Sequence, residues 1–419
     1  MTEVIKIEGG RKLNGRVRID GSKNATVALI PAAILANEPV TIYGVPDISD
    51  VGALTRILQY LDVSVVRKEN GDLIIDPTHM KNTPLIEDTV TTLRASYYFM
   101  GALLGKYGRA EIKMPGGCDL GPRPIDLHIK GFEALGATIN YEQGNYVIEA
   151  EELIGAPIFL DIASVGATIN ILMAAVYAKG RTTIVNAAKE PEIIDVATIL
   201  NKMGANIRGA GTNEITIEGV DYLGGCNHEI IPDRIEAGTY IILAAAAAGE
   251  VVVENIIPLH LESLLSKLHE MGVNMTVDID KITIKESKNL KPVDVQTNTY
   301  PGFATDLQSP FATLLTQAEG TSHIVETIYK ERFKAVSQLQ RLGASASIQN
   351  GRAEITGPAN LFGGSVKATD LRCGAALVIA GLLAEGVTEI RDIYHIDRGY
   401  ANIDEKLTNL GAKIWREKV

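Results

Sequence analysis

Two recurring phrases of apolar and polar residues run along the chain and predict its elements. The first is a helix end marked by Leu or Met, then Gly and a small residue, then two short strands around a polar turn, as in LGATINYEQGNYVIEA from Leu135. A glycine just past a helix is typical of a helix C-terminus, and the alternating segments after it predict a β-hairpin. The phrase recurs at intervals of about 70 residues. Its glycine position is occupied by Asp62, Gly136, Gly204, Gly272, Gly343 and Gly411.

The second phrase interleaves with the first. It consists of a polar turn, an apolar and alanine-rich helix, and then a glycine before a β-branched strand, as in SVGATINILMAAVYAKGRTTI. Because these helices are apolar nearly all the way round, they are predicted to lie in the interior. The copies begin at Ser22, Thr92, Ser164, Arg234, Thr305 and Asp370.

The six units predict an α/β protein with two globules of three repeats each, with buried helices inside and sheets outside. The length of 419 residues agrees with two domains of roughly 200 residues. We predict a first three-repeat domain at residues 22–230, which includes the loop around Cys118. The second would combine residues 1–21 with residues 231–419, because the N-terminal strand Val4–Glu8 is expected to cross back into it.

Composition places the chain among folded globular proteins, since 46% of its residues are hydrophobic and 22% are charged. Three cysteines are an odd and sparse set, which argues against a disulfide framework and for a reducing compartment. The start, MTEVIKIEGG, lacks the pattern of a signal peptide, and the apolar run YIILAAAAAG is too short to span a bilayer. We therefore expect a cytoplasmic protein without membrane insertion.

The net charge of −11 disfavours a nucleic acid as the main partner, but it leaves room for a local basic pocket that binds a small anion. The sequence contains neither CxxC nor HExxH, and neither GxGxxG nor GxxxxGK[ST]. These are common motifs of metal and nucleotide sites. We therefore predict no metal and no cofactor.

The segment PGGCDLGPRPIDLHI, from Pro115 to Ile129, is the most informative for function. Cys118 follows two glycines, which give its backbone freedom, and Arg123 stands between two prolines that restrict its backbone. A mobile thiol near a held guanidinium suggests acid–base or nucleophilic chemistry beside an anion. The alternative is a Gly/Pro-rich loop with an inert cysteine, and these residues alone do not decide between the two.

Polar residues gather in the first turns of the apolar helices. Helix N-termini expose free N–H groups and the positive end of the helix dipole, so that converging N-termini form an anion site. Ser22, Ser164 and Asp306 also suit ordinary N-caps, and that alternative stays open. Cations oppose the dipole at this end of a helix, which favours a ligand as the reason for their presence. The cations at these positions are Lys23, Arg94 and Arg372.

Two further basic segments belong with these helix starts. Arg332 follows a predicted strand, and YHIDRGY from Tyr394 supplies Arg398 before a helix. Cys226 lacks an Arg-Pro neighbour and Cys373 lies in a buried helix, so both are predicted to be structural.

Eight motifs spread over the whole chain resemble one known family, the UDP-N-acetylglucosamine 1-carboxyvinyltransferases among the enolpyruvyl transferases. Each motif alone is weak evidence, and together they are highly specific. The motifs are SKNA at 22–25, LRAS at 93–96, PGGCDLGPRPIDLH at 115–128, SVGAT at 164–168, NAAKEPEI at 186–193, PDRIEAGT at 232–239, FATDLQ at 303–308 and YHIDRGY at 394–400.

The resemblance implies a fold of two inside-out α/β barrel-like domains, each built from three repeats of about 70 residues. It also implies a reaction, in which the enolpyruvyl group of phosphoenolpyruvate moves to the 3′-hydroxyl of UDP-N-acetylglucosamine and phosphate is released. This is the first committed step of peptidoglycan synthesis. Addition followed by elimination requires a general acid for C3 of phosphoenolpyruvate and a general base for the sugar hydroxyl.

The resemblance also assigns roles to residues of this sequence. Cys118 corresponds to the acid, which is the target of fosfomycin in the family, and Asp306 corresponds to the base. The residues implied for phosphoenolpyruvate are Lys23, Asn24, Arg123, Arg332, Arg372 and Arg398. Those implied for UDP-N-acetylglucosamine are Arg94, Arg123, Pro124, Ile125, Asp126, Leu127, Ser164, Val165, Asp306 and Ile328.

Three alternative functions compete with this one. The sister enzyme that transfers enolpyruvyl to shikimate 3-phosphate shares the fold but lacks the GGC loop. A non-catalytic paralogue that binds the nucleotide sugar is disfavoured by the presence of Cys118 and Asp306. An RNA-phosphate cyclase on a related fold is disfavoured by the net charge of −11.

Overall fold

The structure, a computed structural model, describes residues 2–87, 94–113 and 125–419, with only the backbone of Arg94 and Ala95. Contacts between Cα atoms divide the chain into two compact units. The terminal unit comprises residues 1–20 and 232–419, and the central unit comprises the described part of residues 21–231.

The central unit contains six α-helices and three sheets among its described residues. The helices are α1 (Lys23–Ala33), α2 (Ser49–Tyr60), α3 (Tyr98–Tyr107), α4 (Asp126–Ala134), α5 (Val165–Ala175) and α6 (Pro191–Met203), with a 3₁₀ turn at Arg94–Tyr97 before α3. The strands are β3 (Val40–Tyr43), β4 (Ser64–Arg67), β5 (Leu73–Asp76), β6 (Arg109–Lys113), β7 (Thr138–Glu142), β8 (Asn145–Glu149), β9 (Pro157–Phe159), β10 (Arg181–Val185), β11 (Asn206–Arg208), β12 (Glu214–Glu218) and β13 (Asn227–Glu229). The sheet orders are β13-β3-β5-β4, β6-β8-β7 and β11-β12-β10-β9.

The terminal unit also contains three sheets. Its helices are α7 (Arg234–Ala247), α8 (Glu262–Met271), α9 (Gln308–Leu315), α10 (Lys334–Arg341), α11 (Leu371–Leu383), α12 (Tyr394–Asp397) and α13 (Ile403–Asn409), with 3₁₀ turns at Pro258–Leu261 and Thr305–Leu307. Its strands are β1 (Glu3–Glu8), β2 (Leu13–Arg18), β14 (Ala248–Glu254), β15 (Met275–Val277), β16 (Lys281–Lys285), β17 (Val295–Gln296), β18 (Gly320–Val325), β19 (Ser345–Gln349), β20 (Arg352–Gly357), β21 (Ser365–Lys367), β22 (Val387–Arg391) and β23 (Lys413–Lys418). The sheet orders are β15-β16-β14-β2, β17-β18-β20-β19 and β21-β22-β1-β23.

The sheets share one pairing pattern. In five of them an edge strand lies parallel to its neighbour while the remaining pairs are antiparallel, as in β9 beside β10 and β17 beside β18. In the sheet of β6, β7 and β8, the parallel position is taken by a single bridge between Leu85 and Ile112. The repeated unit seen in the sequence is therefore a repeated unit of β-pairing.

The glycine of the first recurring phrase ends a helix, as predicted. The φ angles are 98° at Gly136, 114° at Gly204 and 84° at Gly272, all in the left-handed region that glycine adopts at little cost. Asp62, in the first copy, has a φ of 57°. Aspartate tolerates this region better than most side chains.

The apolar helices of the second phrase are buried, also as predicted. In the terminal unit, α7, α9 and α11 contact one another, and nearly every residue of α11 is inaccessible to solvent. In the central unit α3 packs closely on α5. The Gly101 N–H donates to Asn170 Oδ1 at 2.9 Å, and a Cβ on Gly101 would lie 2.3 Å from the Asn170 carbonyl oxygen.

Within the described residues, the structure contains no helix that is both long and apolar enough to cross a membrane.

Candidate active site

Asp306 lies between two buried guanidinium groups of the terminal unit. Its Oδ1 is 2.8 Å from Nη2 of Arg332, and its Oδ2 is 3.3 Å from Nη2 of Arg372. The two arginine side chains are only 5% and 4% exposed, whereas Asp306 is 24% exposed. The three charged residues predicted from separate motifs thus form one cluster, in which the carboxylate is the most accessible member.

The position of Arg372 is set by the start of α11. The carboxylate of Asp370 caps this helix and accepts hydrogen bonds from the Arg372 and Cys373 N–H groups, both at 2.9 Å. The guanidinium then donates from Nη1 to the Tyr400 hydroxyl at 3.0 Å. That hydroxyl is also 2.8 Å from the Thr239 hydroxyl.

Burial and neighbouring groups act on these side chains in opposite directions. Burial by itself lowers the pKa of Arg372, but Tyr400 and the carboxylates of Asp306 and Asp233 outweigh it, so the pKa is raised. Burial raises the pKa of Tyr400, against the opposing charge of Arg372. Arg372 therefore carries a permanent charge, and Tyr400 is available as a neutral hydrogen-bonding group.

Asp306 is not a helix cap. It lies in the Thr305–Leu307 turn before α9, and neither this turn nor α9 has a side-chain cap. Ser22 and Ser164, in contrast, are N-caps that accept from Ala25 N at 3.1 Å and Ala167 N at 3.2 Å. Both serines therefore cap their helices, whereas the carboxylate of Asp306 pairs with the two arginines.

In the central unit, Lys23 begins α1 and faces an acidic side chain. Its Nζ lies 3.4 Å from Oδ2 of Asp50, whose side chain is 4% exposed, and Lys23 is itself 14% exposed. A buried carboxylate beside the ammonium offsets its unfavourable position at a helix N-terminus. Asn24 is half-buried in the same first turn.

The other predicted residues of this unit lie at the starts of two helices. Ile125 is buried just before α4, Asp126 is exposed as its first residue, and Leu127 is half-buried. Val165 is the half-buried first residue of α5.

Arg398 follows α12 and is half-buried. The pKa of the nearby His395 is lowered, mainly by burial and secondly by the positive charge of Arg398. Asp397, from the same motif, pairs with Arg416 through two hydrogen bonds of 2.7 and 3.0 Å. This ion pair ties the YHIDRGY segment to β23, so the contact of Asp397 is a structural one.

Four of the predicted site residues have side chains that the structure does not describe. Cys118, Arg123 and Pro124 lie outside the described residues, as does the side chain of Arg94. The two other cysteines are described, and burial raises the pKa of Cys226 and raises that of Cys373 to about 11. Across residues 2–87, 94–113 and 125–419, no group of three or more His, Cys, Asp or Glu residues is placed to hold a metal ion.

Sequence reasoning missed several polar residues of these clusters. Tyr400 and Glu326 are buried and contact site residues or their neighbours. His128, within the Cys118 motif, is 6% exposed, and its ring nitrogens have no hydrogen-bond partner among the described residues. Burial lowers its pKa to about 4, against the opposing charge of Asp126, so the ring is neutral. The sequence signal that could have identified His128 is its position as a polar residue on the buried face of the short helix α4.

The chain matches the family model of EPSP synthase (3-phosphoshikimate 1-carboxyvinyltransferase) over residues 7–407. It is 60% identical to UDP-N-acetylglucosamine 1-carboxyvinyltransferase 2 of Geobacillus kaustophilus, over 99% of this chain and 97% of that protein. It is 57% identical to the protein of the same name from Bacillus subtilis, over 100% of this chain and 97% of the relative.

Two solved structures have the same fold. The enolpyruvyl transferase NikO from Streptomyces tendae has a TM-score of 0.90 and 27% identity, covering 100% of this chain and 99% of that chain. EPSP synthase from Acinetobacter baumannii has a TM-score of 0.77 and 20% identity, covering 100% of both chains, which shows the fold alone.

The mixed α/β fold with its many sheets is therefore that of the enolpyruvyl transferases. Within that class, the chain belongs to the UDP-N-acetylglucosamine 1-carboxyvinyltransferase family.

Proposed function

We propose that the chain transfers the enolpyruvyl group of phosphoenolpyruvate to the 3′-hydroxyl of UDP-N-acetylglucosamine and releases phosphate. The chain is an enzyme, a transferase of peptidoglycan synthesis, as its full-length identity of 57–60% to named relatives indicates. The structural observation that supports this function is the Asp306 carboxylate between the guanidiniums of Arg332 and Arg372. A base and two anion-binding groups thus share one site.

The proposed chemistry has two steps. In the addition, C3 of phosphoenolpyruvate gains a proton and the sugar oxygen bonds to C2 as its own proton leaves. In the elimination, C3 loses a proton, the C2–phosphate bond breaks and the double bond re-forms. Cys118 is proposed as the acid for C3 and Asp306 as the base for the sugar hydroxyl.

The ion pairs of Asp306 with the two arginines suggest how ligand binding frees this carboxylate to act as the base. Phosphoenolpyruvate carries a carboxylate and a phosphate, both of which suit the donor geometry of a guanidinium. Its anions would therefore compete with Asp306 for Arg332 and Arg372. Release of Asp306 from these ion pairs would leave its carboxylate free to accept the proton of the sugar hydroxyl.

The remaining assignments of ligand-binding residues are part of the same proposal. Asn24 is polar and half-buried in the first turn of α1, which suits a hydrogen bond to a ligand. The residues proposed for phosphoenolpyruvate are Lys23, Asn24, Arg123, Arg332, Arg372 and Arg398. The residues proposed for UDP-N-acetylglucosamine are Arg94, Arg123, Pro124, Ile125, Asp126, Leu127, Ser164, Val165, Asp306 and Ile328.

We further propose that residues 22–230, and residues 1–21 with 231–419, act as two inside-out barrel-like domains. The three sheets and the buried helices of each unit support this architecture. The substrates are small molecules found in the cytoplasm, where we expect the protein to work. Neither a nucleic acid nor membrane insertion has a role in this function.

Phosphate release from phosphoenolpyruvate tests the function directly. We expect release with UDP-N-acetylglucosamine and none with shikimate 3-phosphate. The reverse result would assign the sister activity, for which the matched family model is named. Release with neither acceptor would identify a non-catalytic binding protein.

A further inference from the structure

Glu326 is a buried carboxylate at the end of β18, and the reaction as proposed above does not use it. It is 5% exposed, and four donors surround it. Its Oε1 accepts from the Thr297 hydroxyl at 2.9 Å and from the N–H groups of Ile328 and Tyr329 at 2.8 and 3.0 Å. Its Oε2 accepts from the Thr305 hydroxyl at 3.1 Å.

Thr305 connects this carboxylate to the arginine cluster. Its hydroxyl oxygen also accepts a hydrogen bond from Nη1 of Arg332 at 3.1 Å. A guanidinium only donates and an ionised carboxylate only accepts. The hydroxyl must therefore accept from Arg332 and donate to Glu326, which leaves a single arrangement of the proton.

Arg332 is held at both of its terminal nitrogens by consecutive residues. Nη1 donates to Thr305 and Nη2 pairs with Asp306 at 2.8 Å. Its third nitrogen, Nε, is buried and has no hydrogen-bond partner within the part of the chain that the structure describes. The orientation of the guanidinium therefore depends on how the Thr305–Asp306 segment is held.

We propose that Glu326 is a positioning residue that orients Arg332 through the Thr305 hydroxyl, and so sets the geometry of Asp306. This inference rests on the proposed function, in which Arg332 binds phosphoenolpyruvate. The two carboxylate oxygens have separate tasks. Oε2 orients Arg332 through Thr305, and Oε1 fixes the backbone of Ile328, which is proposed to contact the sugar nucleotide.

The separation of the two oxygens allows a sharp test by mutation. T305V removes the Thr305 hydroxyl at nearly constant side-chain volume, whereas T305S keeps the hydroxyl. E326Q removes the negative charge that Oε1 and Oε2 of Glu326 share. T321V is the matched control, because Thr321 lies exposed on the same strand β18 and its hydroxyl meets that of Thr356 at 3.0 Å. Steady-state kinetics and thermal unfolding are measured for each variant and for the double variant T305V/E326Q.

We expect T305V and E326Q each to lower kcat/KM for phosphoenolpyruvate by about tenfold or more, as the loss of a hydrogen bond to a charged group does. T305S and T321V should stay within about threefold of the parent. E326Q should raise the KM for UDP-N-acetylglucosamine more than T305V does, because only E326Q also weakens the hold on the backbone of Ile328. Because both changes break one relay, the double variant should be little worse than the worse single variant.

The inference is overturned if T305V retains parental kcat/KM, if T305S is as impaired as T305V, or if the two single effects multiply in the double variant. It is also overturned if T305V melts below the assay temperature, since the hydroxyl would then serve stability. If E326Q does not fold, the comparison of T305V with T305S by itself decides whether the inference holds. A parent protein without turnover would instead reject the proposed function itself.

Discussion

Oδ1 of Asp306 lies 2.8 Å from Nη2 of Arg332, and the guanidinium in this pair is almost fully buried. A buried cation is costly unless it has a partner, so Asp306 stabilises the folded protein through this ion pair. Under the proposed function, an arriving anion would compete with Asp306 for this guanidinium, and the same contact would link substrate binding to the proposed base.

Replacement of Asp306 by asparagine tests its role as the base. Asp306→Asn keeps the shape and removes the charge, so we expect turnover to fall by roughly a hundredfold or more, in the range of general-base losses. Binding of UDP-N-acetylglucosamine, measured by calorimetry, should be largely kept. Asp294→Asn is the matched control, since that aspartate is 73% exposed in the same unit. Turnover near the parental value in Asp306→Asn would remove Asp306 from the mechanism.

Cys118 is expected to be the one cysteine that the epoxide fosfomycin alkylates. Burial raises the pKa of Cys373 to about 11 and also raises that of Cys226, so few thiolates form at these sites near neutral pH. Mass spectrometry of the peptides after fosfomycin treatment locates the adduct. Modification confined to Cys226 would contradict the assignment.

Two substitutions at Cys118 test its role as the acid. Cys118→Asp should keep measurable turnover with a lower pH optimum, because a carboxyl group titrates below a thiol. Cys118→Ser should be far less active, since a hydroxyl is a much weaker acid. The aspartate variant should also escape fosfomycin. Full activity of the serine variant would show that no proton comes from this position.

Glu236 should make the stability of the terminal unit depend on pH. It is buried in the first turn of α7, where Lys406 Nζ contacts it at 2.6 Å and also contacts Asp20 at 2.7 Å. Burial raises the pKa of Glu236 to about 7, although Lys406 opposes the shift. Between its ordinary value of 4.5 and about 7, the folded state holds a proton that the unfolded state has lost.

The free energy of unfolding should therefore fall as the pH rises through this window. The contribution of Glu236 is complete below pH 4.5 and is lost above about pH 7. Denaturant unfolding at pH 5, 6 and 8 measures the slope, and Glu236→Gln should flatten it. Glu262→Gln, on the exposed surface of α8, should leave it unchanged. An identical slope in Glu236→Gln and the parent would disprove the assignment.

Two glycines inside helices should respond to alanine in opposite directions. In Gly101→Ala the new Cβ would lie 2.3 Å from the Asn170 carbonyl oxygen, so α3 and α5 must separate, at a cost of about 1–3 kcal/mol of unfolding free energy. In Gly52→Ala the nearest atom is the Arg56 Nη1 at 3.7 Å. That variant should gain about 0.5–1 kcal/mol from the better helix propensity of alanine. Denaturant unfolding compares them, and equal effects would refute the close approach of α3 and α5.

The sequence by itself determined the elements and their repetition. Periodicity and glycine placement act over a few residues, so the pattern of apolar positions identified the buried helices such as α11 and the helix ends such as Gly204. It also placed Asp306, Arg332 and Arg372 in candidate motifs. The family resemblance supplied their proposed roles, and full-length identity to named relatives bears out the family.

Only the tertiary structure decided which of these polar residues meet. Asp306 and Arg372 are 66 positions apart, and Thr305 and Arg332 are 27 apart, so no local pattern predicts that they touch. Ser164 and Asp306 look alike in the sequence as helix-start residues, yet one caps its helix and the other pairs with arginines. No sequence pattern indicated that Glu326 is buried, because its burial depends on four hydrogen-bond donors that only the packed chain brings to its carboxylate.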